Sequence, residues 1–456
     1  MIAWTPELIE DGPPRYLQIA DSIEAGIRAG SLKPGDKLPP QRKLAERLGI
    51  DFTTVSRAYT EAHARRLTES HVGRGTFVRK TARPAETADP RRLREADLSM
   101  NMPPEVTDPE LLDYMREGLD VVSANLVSLL RYQATTGGDQ DRMAASSWLS
   151  KRGMVPNLDR IAVTPGAHAT MTAILSIIAQ GGDTVLCERI TYPGLRAIAA
   201  RLNLRLIGLE MDDHGVTPDA LEAAIARHSP KALYLNPTLH NPTTLIVPED
   251  RRIALAEIVT RRRLPLIEDD AYGFIPQSAP PPFAVLAPAQ TWHIGGLAKC
   301  IGAGLRLAYT VAPDPRAAFA LAQALRAIAV MPSPLTTALM TRWIEDGTAD
   351  RIRHFIRAEI AVRQQIAAGV LSGMEFQTET NAFNIWLKLP AGAGRAEMMG
   401  RMTGRHIGLM PSDAFTVDGD PGEHIRICLG GAISRDELRT GLNFMHNTLL
   451  GGGWMG

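Results

Sequence analysis

Short apolar runs separated by long intervals are the feature that most constrains the fold of this 456-residue chain. Five such runs, each bounded by polar residues or glycine, occupy residues 161–164, 184–187, 231–235, 264–267 and 305–308. The intervals are long enough for helices, and strands that alternate with helices form a mostly parallel sheet covered on both faces. We therefore expect an α/β unit with a doubly wound sheet, followed by a smaller α+β subdomain after about residue 340.

The first eighty residues carry a different pattern. Apolar residues recur every three or four positions from Tyr16 to Ile27, which predicts a helix with one apolar face. A second helix is expected over residues 41–48, closed by Gly49, and a third over residues 52–66, with Asp51 as its N-cap. Two short runs around the glycines at 73 and 75 predict a hairpin.

The tract between the two patterns is rich in Pro, Ala, Glu and Arg and has no apolar periodicity, which is typical of a linker. We expect a first domain over residues 1–80, a linker over 81–98 and a second domain over 99–456.

Charge and cysteine content exclude several classes of protein. Lys+Arg and Asp+Glu both number 50, but residues 31–80 alone hold eleven Lys/Arg against five Asp/Glu, which confines a polyanion-binding surface to the first domain. The three cysteines have neither disulfide nor zinc spacing, so we expect no metal. No segment approaches the ~18–20 apolar residues of a membrane span, and the N-terminus lacks a signal sequence. We expect a soluble, cytoplasmic chain that does not bind membranes.

The first domain has the parts of a winged helix, which presents a basic helix to the major groove and a hairpin to the DNA backbone or minor groove. Val55, Ala58 and Tyr59 are expected to face the core. The candidate DNA-binding residues are Arg42, Lys43, Thr53, Thr54, Ser56, Arg57, His71 and Arg74. Taken alone, Arg57 has the alternative of a solvated helix arginine.

Residues 15–79 resemble the GntR-type winged helix-turn-helix. The resemblance rests on the stretches at 38–45, 54–59 and 73–77, whose sequences are LPPQRKLA, TVSRAY and GRGTF. It implies that the partner is double-stranded operator DNA.

In the second domain, five residues meet the needs of pyridoxal 5'-phosphate. Lys299 provides the amine for a Schiff base, and Asp269 provides the acid for the pyridinium nitrogen. Asn241 and Tyr272 provide partners for the ring hydroxyl. Arg306 provides a phosphate ligand, together with the turn at Gly166, Ala167 and His168, which opens a helix.

Residues 99–456 resemble the fold type I, aspartate-aminotransferase-like domain. The resemblance rests on the sequences TPGAHA at 164–169, TYPG at 191–194, NPT at 241–243 and DDAY at 269–272. It implies that Tyr192 stacks on the cofactor ring, that Arg426 clamps an effector carboxylate, and that Tyr132 reaches the phosphate in a partner subunit. Arg426 also has the alternative of a structural ion pair, and His168 is expected to be a neutral cap rather than a catalytic group.

Five positions depart from the family's pattern, one of them His168, which stands where glutamine is common. Thr244 replaces a glycine, and Ala167, Gly296 and Ala298 stand where the family usually has Ser or Thr. Ser or Thr hydroxyls at those three positions would contact the phosphate, and none is present here. We therefore expect looser cofactor retention.

The two halves together resemble the MocR/GabR subfamily of transcriptional regulators. The resemblance implies a head-to-tail, domain-swapped homodimer in which an amine or amino acid forms an external aldimine in place of Lys299 and so changes DNA binding. Two alternatives stay open: a functional aminotransferase with an appended DNA-binding domain, and a sensor of pyridoxal phosphate itself. The identity of the effector stays open, and so does the choice of carboxylate, sulfonate or phosphonate as its anionic group. The operator sequence and the choice between activator and repressor are open as well.

Overall fold

The computed structural model describes residues 4–6, 8–9, 12–65, 67–71, 75–79, 99–405 and 407–451. The chain forms two compact units, Met1–Glu95 and Ala96–Gly456. The predicted linker at 81–98 lies outside the described residues.

The first unit is a three-helix domain with a hairpin. Its elements are α1 (Arg15–Arg28), α2 (Gln41–Leu48), α3 (Phe52–Ala64), β1 (Thr68–His71) and β2 (Gly75–Val78). The predicted bounds of α2 are confirmed, and Gly49 closes it in the left-handed region at φ 62°. Asp51 caps α3 as predicted, accepting a hydrogen bond from the Thr53 backbone N–H at 2.7 Å. Helix α3 ends at Ala64, two residues earlier than expected.

One core holds the three helices and the hairpin together. Val55, Ala58 and Tyr59 are buried in it, which confirms the predicted inner face of α3. The Tyr59 hydroxyl donates to the Pro39 carbonyl oxygen at 2.7 Å and so fixes α3 against the start of α2.

The second unit is built on a seven-stranded sheet with helices on both faces. The large-sheet strands are β3 (Ile161–Thr164), β4 (Thr184–Glu188), β5 (Arg205–Leu209), β8 (Ala232–Leu235), β9 (Leu266–Asp269), β10 (Thr291–Gly296) and β11 (Ala308–Val311), and a hairpin joins β6 (Met211–Asp212) to β7 (Gly215–Val216). The order is β3-β11-β10-β9-β8-β4-β5. Only β11 runs antiparallel to its neighbours. Apart from β5, these strands are buried along their whole length because helices cover both faces.

The helices of this unit alternate with the strands as the spacing predicts. They are α4 (Pro109–Ser123), α5 (Leu126–Leu129), α6 (Asp139–Ser150), α7 (Ala167–Ile178), α8 (Pro193–Arg201), α9 (Pro218–His228), α10 (Glu249–Arg262), α11 (Phe283–Leu286), α12 (Pro315–Ala329) and α13 (Pro334–Glu345). No helix in the described part of the chain is long and apolar enough to cross a bilayer.

The expected smaller α+β subdomain is also present. It has the helices α14 (Thr348–Val370), α15 (Arg395–Arg401) and α16 (Arg435–Leu450), and the strands β12 (Phe376–Gln377), β13 (Asn384–Lys388), β14 (Leu409–Pro411) and β15 (His424–Cys428). The strand order is β12-β13-β15-β14, all antiparallel. The fold class predicted from the sequence is therefore confirmed.

One predicted strand is wrong. Residues 305–308 were expected to be extended, but Ala303–Leu305 is a 3-10 turn and β11 begins only at Ala308. Arg306 has φ 51°, in the left-handed region, and a residue there cannot continue a strand. Leu307 lies outside the sheet but is buried next to this turn, and that burial accounts for an apolar residue at this position.

Candidate cofactor site and DNA-binding surface

The candidate cofactor residues converge at the carboxyl ends of the parallel strands, where doubly wound sheets bind their ligands. Asp269 is the last residue of β9, and Lys299 follows β10 by three residues. Gly166 follows β3 and caps α7. Strand order explains this convergence, because β10 lies beside β9 in the sheet.

Asp269 is a buried carboxylate with one oxygen unpaired. Its Oδ2 accepts a hydrogen bond from the Tyr234 hydroxyl at 2.8 Å, while its buried Oδ1 has no partner among the described residues. Burial raises the pKa of Asp269 to about 6, although the Tyr234 hydrogen bond and the Lys299 charge act in the opposite direction. This carboxylate can therefore accept a further hydrogen bond from a cationic donor.

The acids on either side of Asp269 are occupied in a different way. Glu268 accepts from His293 Nδ1 at 2.9 Å and from the Phe283 backbone N–H at 2.7 Å, and Asp270 accepts from Arg152 Nε at 3.2 Å. Successive side chains of a strand alternate between the two faces, so these two acids face away from Asp269. Both acids are buried and bonded to side chains or backbone on their own side, although Asp270 Oδ1, like Asp269 Oδ1, has no partner among the described residues.

Lys299 presents an amine that loses its proton readily. Its Nζ donates to the Asn101 carbonyl oxygen and lies 5.8 Å from the centroid of the Tyr272 ring. Burial lowers the pKa of Lys299 to about 8, and the nearby positive charge of Arg426 adds to the effect. A lysine of this kind is a competent nucleophile near neutral pH.

A chain of amide groups ties Asn241 and Tyr272 together. Asn101 Nδ2 donates to the Tyr272 hydroxyl at 2.8 Å and to Asn384 Oδ1 at 2.9 Å. Asn384 Nδ2 then donates to the Pro242 carbonyl at 2.6 Å, beside the cis peptide bond between Asn241 and Pro242. The two predicted ring-hydroxyl partners are thus held in a single network.

Arg426 lies on β15 and is buried. Its Nη1 donates to Asn241 Oδ1 at 2.9 Å, its Nη2 donates to the Ser99 carbonyl oxygen, and its buried Nε has no partner among the described residues. The guanidinium carbon is 5.1 Å from the centroid of the Phe415 ring. Arg426 therefore bonds to neutral oxygens rather than to a carboxylate of the described chain.

The turn at the start of α7 forms the anion end of the site. Gly166 has φ 87°, and a Cβ built on it would lie 3.4 Å from Arg306 Nη2. The Arg306 backbone N–H donates to the Ala303 carbonyl at 3.3 Å, but its guanidinium makes no hydrogen bond or ion pair with another described residue. A helix N-terminus beside an unpaired guanidinium is a phosphate-binding arrangement. Ala167, Gly296 and Ala298 contribute no hydroxyl to it.

Tyr192 and His168 form a pair beside this turn. Their rings pack edge to face with centroids 5.8 Å apart, and His168 Nε2 lies 3.0 Å from the Tyr192 hydroxyl oxygen. Burial lowers the pKa of His168, to which the charge of Arg306 adds, and burial raises the pKa of Tyr192 to about 12. Tyr132, by contrast, is 85% exposed and makes none of these contacts.

Six of the eight candidate DNA-binding residues lie on the helices α2 and α3. Arg42 and Lys43 are exposed in the first turn of α2. Thr53 and Arg57 are exposed on α3, where the Arg57 guanidinium carbon lies 4.0 Å from the centroid of the Tyr16 ring. Thr54 and Ser56 are half-buried on the same helix. His71 is the last residue of β1, and Arg74 lies outside the described residues.

Comparison with known proteins agrees with both halves of the chain. Residues 97–444 match the aminotransferase class I and II family, and residues 15–78 match the gntR family of bacterial regulatory proteins. The HTH-type transcriptional regulator YdeF of Bacillus subtilis is 28% identical, over 98% of this chain and 97% of its own length. TauR of Rhodobacter capsulatus is 23% identical, over 87% and 89%.

The chain belongs to the class I and II aminotransferase family, in the MocR/GabR subfamily of GntR regulators. It is thus a transcriptional regulator with an aminotransferase-like domain, and its GntR domain implies binding to DNA. The crystal structure of the α-aminoadipate aminotransferase LysN from Thermus thermophilus, in complex with N-(5'-phosphopyridoxyl)-L-leucine, shares the fold. That structure covers 78% of this chain and 92% of its own, at a TM-score of 0.69 and 22% identity.

The site of this regulator fits pyridoxal 5'-phosphate, the cofactor of the family. The unpaired oxygen of Asp269 matches a pyridinium N–H, Lys299 is an amine of lowered pKa, and Arg306 is an unpaired cation beside a helix N-terminus. Each of these features is a property of the protein atoms alone.

Several residues that build the site were missed in the sequence. Tyr234 and Asn236 follow one another closely on the chain, and Asn236 Nδ2 donates to the Asp269 carbonyl at 2.6 Å. Glu188 ends β4 and accepts from the Asn236 backbone N–H at 2.6 Å, and burial raises the pKa of its carboxyl to about 8. The sequence offered one signal for these residues, which is the acid Glu188 at the end of a buried strand. No sequence pattern marked Asn101 or Asn384.

Proposed function

We propose that this regulator binds pyridoxal 5'-phosphate through a Schiff base at Lys299 and senses an amine or amino acid that takes the place of the lysine. The observation that carries the proposal is the pairing of Lys299 with Asp269. A lysine of lowered pKa and a buried carboxylate with a free oxygen lie at the ends of neighbouring strands. When bound, the cofactor supplies an electrophilic carbon that exchanges one amine for another.

The protein side chains would share the work of holding this cofactor. Asp269 would accept the ring N–H, and Asn241 and Tyr272 would bond the ring hydroxyl. Tyr192, held by its contact with His168, would cover the ring. Arg306 and the N–H groups that open α7 would bind the phosphate. The absence of hydroxyls at Ala167, Gly296 and Ala298 supports weaker retention than in a housekeeping aminotransferase.

Arg426 is proposed to select an effector with an anionic group. A guanidinium binds a carboxylate through two parallel hydrogen bonds, and sulfonates and phosphonates offer the same geometry. Burial of Arg426 strengthens such a pair, since the site excludes water.

The proposed assembly is a head-to-tail, domain-swapped homodimer in which Tyr132 reaches the partner's phosphate site. The segment around Tyr132 supports a contact between subunits because it exposes Val127, Leu130 and Tyr132, each at least 69% exposed. Exposed apolar side chains that lie together mark interaction surfaces. In such a dimer the two winged helices would bind paired half-sites of one operator, with Arg42 and Arg57 among the contacts.

A working aminotransferase with an appended DNA-binding domain is the second candidate. The specific observation in its favour is that the lowered pKa of Lys299 suits a base that moves a proton as well as a nucleophile.

An absorbance titration of the cofactor-loaded protein with amines separates the two candidates. The panel would include taurine, γ-aminobutyrate, a diaminobutyrate and 2-aminoethylphosphonate. A spectral change that one compound produces and that then persists supports the sensor. Full conversion to the pyridoxamine form, reversed by a keto acid, would establish the enzyme instead. The variant Lys299→Ala should show neither response, and Lys388→Ala, which changes an exposed lysine paired with Glu375, is its matched control.

A further inference from the structure

Residues 99–104, here called the strap, run through the cofactor and effector site. The Ser99 carbonyl oxygen accepts a hydrogen bond from Arg426 Nη2, and the Asn101 carbonyl oxygen accepts one from Lys299 Nζ. The two cations that the proposed function assigns to the effector and to the cofactor are therefore both bonded to backbone of the strap. In the sequence the strap follows directly on the tract at 81–98, which leads to the DNA-binding domain.

The strap is held along its length by the rest of the second unit. The Asn101 side chain donates to Tyr272 and Asn384, and the Gly431 backbone N–H donates to the Pro103 carbonyl at 3.0 Å. Pro104 and Gly431 form a parallel bridge just beyond β15, the strand that carries Arg426. Strap and effector arginine thus belong to one local structure.

Gly430 is the position on which the strap rests most closely. A Cβ built there would lie 1.7 Å from the Met102 carbonyl oxygen and 2.8 Å from the Met102 carbonyl carbon. The φ of Gly430 is outside the left-handed region, so alanine is excluded only by the strap. The strap backbone occupies the space that any side chain at residue 430 would need.

Arg426 is bonded to the strap in a way that an anion would improve. Its buried Nε has no partner in the described chain, while its Nη2 donates to the neutral Ser99 carbonyl. A carboxylate that accepts from Nε and Nη2 together would satisfy the first donor and replace Ser99 at the second. The bond to Ser99 has one charged partner, whereas a carboxylate would form two parallel bonds between opposite charges in a buried site, so the exchange favours the anion.

We propose that the strap is a competitor for the effector: its Ser99 carbonyl occupies Arg426 until the anionic group of the effector displaces it. The displacement shifts the strap, which in the sequence is contiguous with the tract that leads to the DNA-binding domain. This proposal rests on the proposed function, because it takes Arg426 as the effector's anchor. It adds a structural change, the displacement of the strap, that follows when the effector occupies the site.

Hydrogen exchange of the strap, followed by mass spectrometry, tests this competition. The samples are the full-length protein with pyridoxal phosphate, and the variants Gly430→Ala, Arg426→Gln and Gly400→Ala. A Cβ at Gly400 would meet no atom within 4 Å, which makes it the matched control. Propionate is the anion probe, because it has a carboxylate and no amine, and chloride at equal ionic strength is its control.

Without any probe, the strap amides should exchange about tenfold faster or more in Gly430→Ala and in Arg426→Gln, since each loses contacts that hold the strap. The exchange in Gly400→Ala should equal that of the unmodified protein. Propionate should accelerate exchange of the strap in the unmodified protein and should have no effect in Arg426→Gln.

The strap proposal is overturned if Arg426→Gln exchanges like the unmodified protein, or if propionate leaves or slows the exchange of the strap. Neither result depends on amine exchange at the cofactor. A protein whose strap responds to propionate but whose cofactor absorbance responds to no amine would refute the proposed function alone. An amine response with an unmoved strap would refute the strap alone.

Discussion

Removal of the Tyr234 hydroxyl would test whether Asp269 must be ionised to bind the cofactor. The hydroxyl donates to Asp269 Oδ2 at 2.8 Å, and both side chains are buried. A hydrogen bond to a charged group contributes about 1.5–3 kcal/mol, which corresponds to about 1–2 pKa units. Because this bond stabilises the carboxylate, Tyr234→Phe should raise the pKa of Asp269 from about 6 to about 7–8.

The consequence for cofactor binding depends on pH in a defined direction. With a pKa of about 6, Asp269 is about nine-tenths ionised at neutral pH, whereas a pKa of about 7–8 leaves about a tenth to a half ionised. The affinity for pyridoxal phosphate should therefore fall about 2- to 10-fold at neutral pH. The difference should vanish by about pH 9, where Asp269 is ionised in both proteins.

Fluorescence titration with pyridoxal phosphate between about pH 6 and pH 9 measures both effects. Tyr59→Phe is the matched control, because it removes a buried hydroxyl that donates at 2.7 Å to the Pro39 carbonyl oxygen, and both of these residues lie in the first unit. It should lower the stability of the first unit by about 1 kcal/mol and leave cofactor binding unchanged. A loss of affinity that is the same at every pH, or no loss, would contradict the role given to Asp269.

Three further outcomes are expected. Borohydride reduction should attach the cofactor covalently to the unmodified protein and not to Lys299→Ala, as intact-mass spectrometry would show; attachment in the variant would place the Schiff base elsewhere. Arg57→Ala should weaken operator binding and reduce the slope of log affinity against log salt by about one if it contacts a phosphate, which filter binding would measure; an unchanged slope and affinity would remove Arg57 from the interface. Gly194→Ala should weaken cofactor binding in the same fluorescence titration, because its Cβ would lie 2.3 Å from the Tyr192 ring; an unchanged affinity would show that the ring position does not matter.

Features with local causes could be predicted from the sequence. The bounds of α2 and the cap of α3 follow from Gly49 and Asp51, each of which acts on its own neighbours. Asp269 and the turn at Gly166 could be expected to lie near each other, because the ends of parallel strands meet at one edge of a sheet. The left-handed turn at Arg306 could not, since the apolar leucines beside it have the pattern of a strand.

Contacts between distant parts of the chain escaped prediction. Asn101 and Tyr272 are separated by 171 residues, and Asn101 and Asn384 by 283. Periodicity and spacing carry no signal for such pairs, because either partner alone is an ordinary asparagine or tyrosine. The strap went unnoticed for the same reason: its contacts are made by backbone carbonyl groups, which every sequence provides.

The three successive acids at the end of β9 should differ in how well the fold tolerates their substitution. Glu268 and Asp270 are bonded to His293 and Arg152 inside the protein, and loss of either acid would leave a buried cation or donor unpaired. Among the described residues, the Asp269 side chain accepts a hydrogen bond only from the Tyr234 hydroxyl, and an asparagine could accept that bond as well. A descendant of this protein could therefore lose the proposed cofactor by a single substitution and keep its fold, whereas the residues on either side would stay under selection for folding alone.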